Sequence, residues 1–169
     1  MKVAVLGHRD LGQKDLVKEE ARKQIIKLIG EGADTFCFAY YGGFITQCYK
    51  LVGELKEEYD IKRVLVRPQY SSERKVVDNY ILSVMEQGFD DCIRYKDVTS
   101  QRSIYNMIDE CDVLLTFYFE CHVTGCEWGI PEDYEVPPVE KRSATARAVF
   151  YAKRKKKRII NVFELLEVQ

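Results

Sequence analysis

Short apolar runs alternate with amphipathic segments along most of the chain. Residues 2–6 read KVAVL, which predicts a buried strand, and apolar residues recur every three or four positions over 14–29, which predicts a helix. Similar runs predict strands at 33–40, 63–66, 91–95, 112–119 and 158–163, and similar periodicity predicts helices at 45–59, 71–87, 104–111 and 143–154. Such alternation is typical of βαβ units. The sequence therefore predicts an α/β protein with a Rossmann-like, open, mainly parallel sheet and helices on both faces.

Two of the predicted strands differ from the others in being apolar almost without interruption. Residues 3–6 and 113–117 have this character, which is typical of central strands buried on both faces of a parallel sheet. We expect one domain over 1–169, interrupted by a long loop at 120–141 that is rich in glycine and proline. Loops of this length are usually functional, so we interpret the segment as a flap over a site or as a partner-contacting arm.

Composition sets the general class of the protein. The chain has 169 residues, of which 46% are apolar and 31% charged, and 26 basic residues against 27 acidic ones give a net charge of −1. That balance suits a globular domain and gives no global attraction to nucleic acid or anionic lipid. No apolar run reaches membrane-spanning length and no signal peptide is apparent, so we expect a cytoplasmic protein with no membrane association. Six cysteines in such a chain are expected to be reduced, and most of them buried.

Three polar residues follow the first predicted strand. Gly7 allows a tight turn, and His8 and Arg9 would project from the carboxyl edge of a central strand, where ligands of open α/β sheets bind. An arginine at that edge can hold a phosphate with two hydrogen bonds. The alternative is a surface turn whose polar side chains face water.

A glycine pair precedes the second predicted helix, in the sequence Tyr41, Gly42, Gly43, Phe44. Glycines at a helix start allow close approach of a ligand, and free N–H groups there attract anions. The pattern is neither a dinucleotide fingerprint nor a P-loop, and a plain strand-to-helix turn explains it equally well. If the turn binds a phosphate, Gly43→Asp abolishes binding without unfolding the protein, and Gly43→Ala is its control.

Two further groups lie near predicted helix starts. Ser143, Ala144 and Thr145 follow two cations and suit a phosphate or carboxylate, although an ordinary serine N-cap also explains Ser143. Arg102 and Asn106 are four residues apart, so they share one helix face that points either into a cleft or to solvent.

Two sequence features suggest other functions. Residues 153–158 are six consecutive cations, which suits either nucleic-acid binding or the end of a helix, where cations are favourable. Because net charge is near zero, we favour the helix end and do not expect nucleic acid as a partner. Cys121, His122 and Cys126 offer three ligands where structural zinc needs four, so we predict no metal.

In this order the motifs resemble the SLOG superfamily, the Rossmann-like group that includes DprA and the LOG enzymes, and within it short bacterial proteins of the YpsA type. The resemblance is carried by LGHRD, YGGF, ELKEEYDIKRVLVRP with its Arg67, NMIDECDVLL and SATARAVFYAKRKKKRIINVF. It covers nearly the whole chain outside the long loop. It implies a pocket for a nucleotide or nucleotide derivative at the carboxyl ends of the strands.

The resemblance also assigns residues to that pocket. Gly42, Gly43 and Phe44 match the first turn of the family, and Ser143, Ala144 and Thr145 match its Ser-Gly-Thr turn. Three positions depart from the family. Ile45 stands where many members have an acidic residue, Ala144 replaces a glycine, and Arg102 and Asn106 are separated where many members have Arg-Asn.

The function implied is binding of a nucleotide-type ligand, as a sensor or regulator, with no separate cofactor. The LOG enzymes use a glutamate shortly after their second turn, whereas residues 146–148 here contain no carboxylate. That difference argues against their hydrolytic reaction, because cleavage of a base–ribose bond needs a group that activates water or stabilises the ribosyl centre. A phosphoribohydrolase and a DprA-like nucleic-acid-binding module stay as alternatives, and a homodimer is left open.

Overall fold

The computed structural model describes residues 1–40, 42–120, 138 and 142–167. All strand pairs are parallel, and six strands form one sheet in the order β4-β3-β2-β1-β5-β6. The strands are β1 Lys2–Gly7, β2 Thr35–Phe38, β3 Lys62–Gln69, β4 Asp91–Lys96, β5 Val113–Phe117 and β6 Arg158–Asn161. The predicted open, parallel α/β sheet is confirmed.

Helices connect the strands and cover both faces of the sheet. They are α1 Lys14–Gly30, α2 Gly43–Leu55, α3 Val76–Glu86 (after a 3₁₀ turn at Glu73–Lys75), α4 Ser100–Glu110, α5 Ala144–Arg154 and α6 Val162–Glu167. Because crossovers are right-handed, the helices that lead outward from β1 to β4 lie on one face, and those that lead from β4 to β6 lie on the other. The packing agrees, since α1 contacts α2 and α6, whereas α4 contacts α5.

The core is centred on β1 and β5, as their apolar sequence predicts. Val3, Val5 and Leu6 have no solvent exposure, and Leu115 and Phe117 of the neighbouring strand have none either. β1 lies between β2 and β5, and β5 lies between β1 and β6. The prediction that these two runs are central and buried on both faces is confirmed.

Strand boundaries differ from the prediction by one to three residues, and the structure explains two of these differences. β3 continues through Pro68, where it still pairs with β4. The pairing of β3 with β2 ends at Leu65, so the N–H that proline lacks costs no hydrogen bond to β2. β6 ends at Asn161, whose side-chain amide donates to the carbonyl of Tyr118 at 2.8 Å and accepts from its N–H at 3.0 Å. Helix α6 begins directly afterwards and was not predicted.

The basic run at 153–158 is largely bound to its own chain. Lys153 and Arg154 occupy the last turn of α5, and Lys157 donates to the carbonyl oxygens of Asp109 and Cys111 at 2.9 and 2.8 Å, close to the end of α4. Arg158 forms an ion pair with Glu31. These contacts match the interpretation of the run as a helix end.

Three cysteines confirm the expectation of buried thiols, since Cys37, Cys48 and Cys111 lie in the core. Burial raises the pKa of Cys48 above its usual range. Cys121 and Cys126, with most of the predicted loop at 120–141, lie outside the described residues. Within the described part of the chain, no helix has the length and apolar character needed to cross a bilayer.

Candidate functional site

The site begins at the junction of β1 and β5. From β1 the chain continues to β2 on one side, and from β5 it continues to β6 on the other, so their connections diverge. Gly7 is in register with Phe117, whose carbonyl accepts the N–H of His8 at 3.0 Å. Divergence of this kind opens a crevice at the carboxyl ends of the strands, where ligands of open α/β sheets bind.

A cavity of about 720 Å³ opens at this junction. Its volume lies within the range of small-molecule sites. The ends of β1 and β2 and the first turns of α4 and α5 supply its walls. The lining residues are Gly7, His8, Arg9, Asp10, Lys14, Tyr40, Ser100, Gln101, Ile104, Ser143, Ala144, Thr145 and Arg147.

The start of α5 is the part of the wall best suited to an anion. Ser143 caps the helix, since its hydroxyl accepts the N–H of Ala146 at 3.1 Å and its carbonyl accepts that of Arg147 at 3.0 Å. Among the described residues, the N–H groups of Ala144 and Thr145 have no acceptor. Two open amides at the positive end of a helix form a preformed anion site.

Two side chains on the same walls carry buried donors that no described residue satisfies. They are Nε of Arg147 and Nε2 of Gln101. Buried donors in native proteins are nearly always paired with protein, water or ligand. An acceptor-rich ligand that reached these two atoms would satisfy both donors.

Tyr40 connects the end of β2 to the start of α5. Burial raises the pKa of its hydroxyl, while a hydrogen bond with Thr145 acts in the opposite direction. The phenol is therefore neutral at physiological pH. Its ring and the side chain of Ile104 give the cavity an apolar part beside its polar walls.

His8 fixes the end of β1 against the end of β5. The residue is 3% exposed, and its ring lies 5.0 Å from the ring of Phe119 and 5.4 Å from that of Tyr118. Nε2 is 3.2 Å from the carbonyl oxygen of Phe119, which assigns the proton to Nε2 as the donor. The backbone oxygen of His8 also accepts the N–H of Phe44 at 3.1 Å. His8 therefore links the ends of β1 and β5 to the start of α2.

The glycine turn before α2 is built for close packing. A Cβ added to Gly7 would lie 2.6 Å from the ring of Phe44, and one added to Gly43 would lie 2.5 Å from the carbonyl carbon of Arg9 and closer still to its oxygen. Gly42 and Gly43 have φ of 122° and 49°, which favours glycine. Gly43→Ala is therefore not a mild control for Gly43→Asp, because either side chain overlaps the Arg9 backbone.

Most amides of this turn are already hydrogen-bonded. The Gly42 N–H donates to the hydroxyl of Thr46 at 2.7 Å, and the Ile45 N–H donates to the Gly42 carbonyl at 3.1 Å. With the Phe44 N–H bound to His8, the Gly43 N–H is the amide of this turn that lacks an acceptor among the described residues. The turn offers an anion less than the start of α5 does.

The sequence-predicted residues are only partly brought together. Gly7, His8, Arg9, Ser143 and Thr145 line the cavity.

Gly43 lines a neighbouring cavity on the other side of Arg9, and Gly42 packs against the Arg9 side chain, with a built Cβ 3.5 Å from its Cγ. Phe44 is fully buried and stacks on Phe117 at 6.0 Å between ring centroids. Tyr41 lies outside the described residues.

Three other predicted residues do not line the cavity. Arg67 is buried and pairs with Glu86, whose pKa is lowered to about 2 by hydrogen bonds from Arg94 and Arg67. Arg102 is exposed on the first turn of α4, and Asn106 is half-buried one turn later.

Seven lining residues were missed by the sequence analysis, namely Asp10, Lys14, Tyr40, Ser100, Gln101, Ile104 and Arg147. For Gln101 a signal was present, because the inward row of α4 that contains Ile104 extends back by three residues to Gln101. Tyr40 and Arg147 become lining residues through contacts between segments far apart in sequence, which no local pattern contains.

Comparison with known proteins adds information about the fold. No protein-family model matches the chain, and no curated protein matches its sequence. The chain is similar to the X-ray structure of TM1055, a Northeast Structural Genomics Consortium target, with a TM-score of 0.53 and 13% identity over 94% of this chain and 71% of that chain. Likeness at this identity extends to the Rossmann-type fold alone.

Proposed function

We propose that the protein binds a nucleotide or nucleotide-derived small molecule in the cavity at the β1–β5 junction and acts as a sensor or regulator. The observation that carries the proposal is the start of α5, where two amides without described acceptors share a cavity with Arg147, whose buried Nε has no partner among the described residues. Amides at a helix start and an arginine are the usual partners of a phosphate.

The rest of the cavity suits the other parts of a nucleotide. Tyr40 and Ile104 present ring and aliphatic surface against which a base can pack, and Gln101 offers a donor for a polar edge. Resemblance to the SLOG superfamily supports the same assignment, because Ser143 to Thr145 match the turn that faces the ligand there.

No described feature favours hydrolysis over binding. Among the described residues that line the cavity, Asp10 is the single carboxylate. A base–ribose bond is usually cleaved with help from a carboxylate, so a phosphoribohydrolase would depend on Asp10 or on a residue outside the described part of the chain.

The proposal is tested by titrating the protein with AMP, GMP, CMP and UMP in a calorimeter. Ala144→Asp places a carboxylate at the start of α5, where it occupies the anion position and is favourable for the helix. We expect binding to be lost in this variant, with the free energy of unfolding unchanged or raised by about 0.3–1 kcal/mol.

Ala144→Asn is the matched control, since it adds nearly the same volume without charge, and we expect it to retain much of the affinity. Equal affinity of wild type and Ala144→Asp would show that the phosphate is not bound at α5. Chromatography of each nucleotide after incubation distinguishes a binder from an enzyme, because a phosphoribohydrolase releases free base.

A further inference from the structure

A second cavity, of about 430 Å³, lies between the starts of α1 and α2. Four of the residues on its walls are cations, namely Arg9, Lys14, Lys18 and Lys50. Their counterpart on the described walls is a single carboxylate, Glu54. The cavity is thus concave and strongly electropositive in a chain whose net charge is −1.

The described residues do not neutralise these cations. Glu54 already faces Arg22, with 3.6 Å between the carboxylate oxygen and the guanidinium nitrogen. In the part of the chain that the structure describes, none of the four wall cations takes part in an ion pair. Like charges around one concavity repel each other, and a bound anion offsets that repulsion.

The wall of this cavity also carries a buried hydrogen-bond acceptor, which belongs to Gln47. Its Nε2 donates to the carbonyl of Lys14 at 2.9 Å, which fixes the orientation of the amide because only the nitrogen can donate. Its Oε1 is buried and has no partner among the described residues. A buried acceptor in a cationic cavity suits a ligand that carries a hydroxyl or amino group next to its negative charge.

The two cavities are adjacent and share two lining residues. Arg9 and Lys14 line both, and the residues that follow β1 separate the α1–α2 side from the α4–α5 side. In the dinucleotide-binding Rossmann fold, one extended ligand binds across the crevice at the switch point.

We propose that the cavity between α1 and α2 is a second anion subsite, so that the ligand is a nucleotide with two separated anionic groups. One phosphate binds at the start of α5, Arg9 and Lys14 lie between the subsites, and the second group binds near Lys18 and Lys50. Nucleoside polyphosphates and nucleotides with a phosphate-linked second sugar share this chemistry. The inference rests on the proposed function and specifies its substrate class.

The test compares AMP with ATP and ADP-ribose, and the other monophosphates with their triphosphates, on wild type and on the double variant Lys18→Gln/Lys50→Gln. We expect at least one of the larger ligands to bind wild type about tenfold more tightly than its monophosphate. The double variant should lose that gain while its monophosphate affinity stays within about twofold, because neither lysine lines the first cavity.

Lys27→Gln/Lys96→Gln is the matched control, since it removes two charges from exposed side chains outside both cavities. Monophosphate binding with no gain for any larger ligand would overturn the inference and leave the proposed function intact. An equal loss for all ligands in the double variant would also overturn it, as a general field effect. Failure of every nucleotide to bind wild type would overturn both.

Discussion

Helices α2 and α5 both begin at the carboxyl edge of the sheet, and each follows a turn that the sequence offers as a candidate anion site. At α2 the turn is glycine-rich, and its amides are mostly taken up by Thr46, by the Gly42 carbonyl and by the backbone of His8. At α5 the turn contains no glycine, yet its first two amides have no acceptor among the described residues, and Arg147 with its buried Nε lines the same cavity.

The difference teaches that small residues at a helix start have two distinct uses. Gly43 is required because the backbone of Arg9 occupies the place of a side chain, so the glycine brings protein against protein. Ala144 has a side chain and still leaves its N–H available, because Ser143 caps a different amide. Counting which amides already have acceptors therefore separates the two turns better than counting glycines.

The largest expected effect is a loss of stability at the start of α2. Gly43→Ala should lower the free energy of unfolding by about 3 kcal/mol or more, because the new methyl group overlaps the Arg9 backbone at positive φ. Urea unfolding followed by circular dichroism measures this.

Gly30→Ala is the control, since a Cβ there meets nothing within 4 Å at the end of α1 and should raise the free energy of unfolding by up to about 1 kcal/mol. If Gly43→Ala unfolds at the wild-type urea concentration, the close approach of Arg9 and Gly43 is not as described.

An intermediate effect, on ligand affinity, is expected at the start of α5. Arg147→Gln should weaken nucleoside monophosphate binding about ten- to hundredfold, because it removes a charged donor from the anion. The free energy of unfolding should change by less than about 0.5 kcal/mol, since the buried Nε has no described partner to lose.

Arg154→Gln, at the far end of the same helix, serves as the control and should bind like wild type in the same calorimetric titration. Loss of stability without loss of affinity in Arg147→Gln would assign this arginine a structural role instead.

The smallest effect compares one hydroxyl acceptor at each helix start. Ser143→Ala should lower the free energy of unfolding by about 1 kcal/mol, because the Ala146 N–H loses its cap. Thr46→Val should cost a similar amount, about 1–2 kcal/mol, by leaving the Gly42 N–H unpaired. Chemical denaturation of both variants, with Ser143→Thr and Thr46→Ser as conservative controls, measures the two caps on one scale.

Ligand affinity distinguishes Ser143→Ala from Thr46→Val. Removing the Ser143 cap loosens the first turn of α5 and should weaken monophosphate binding a few-fold. Thr46→Val should leave that affinity unchanged. A larger effect on monophosphate binding from Thr46→Val than from Ser143→Ala would place the first phosphate at α2.

Local sequence determined the sheet and its centre. The runs at 3–6 and 113–117 predict β1 and β5 as central strands, because burial on both faces removes the polar alternation of an exposed strand. The cap at Ser143 and the cationic end of α5 were also predictable, since both depend on residues within one or two turns of the same helix.

Only the tertiary structure decided which residues share the site. It placed Arg9 against Gly43, Tyr40 beside Thr145, and Gln101 and Arg147 on common walls, while Arg67 was taken into an ion pair with Glu86. These outcomes depend on the strand order and on contacts between segments that are distant in sequence. Hydrophobic periodicity is a short-range signal, and it records which face of an element is buried without recording what lies opposite that face.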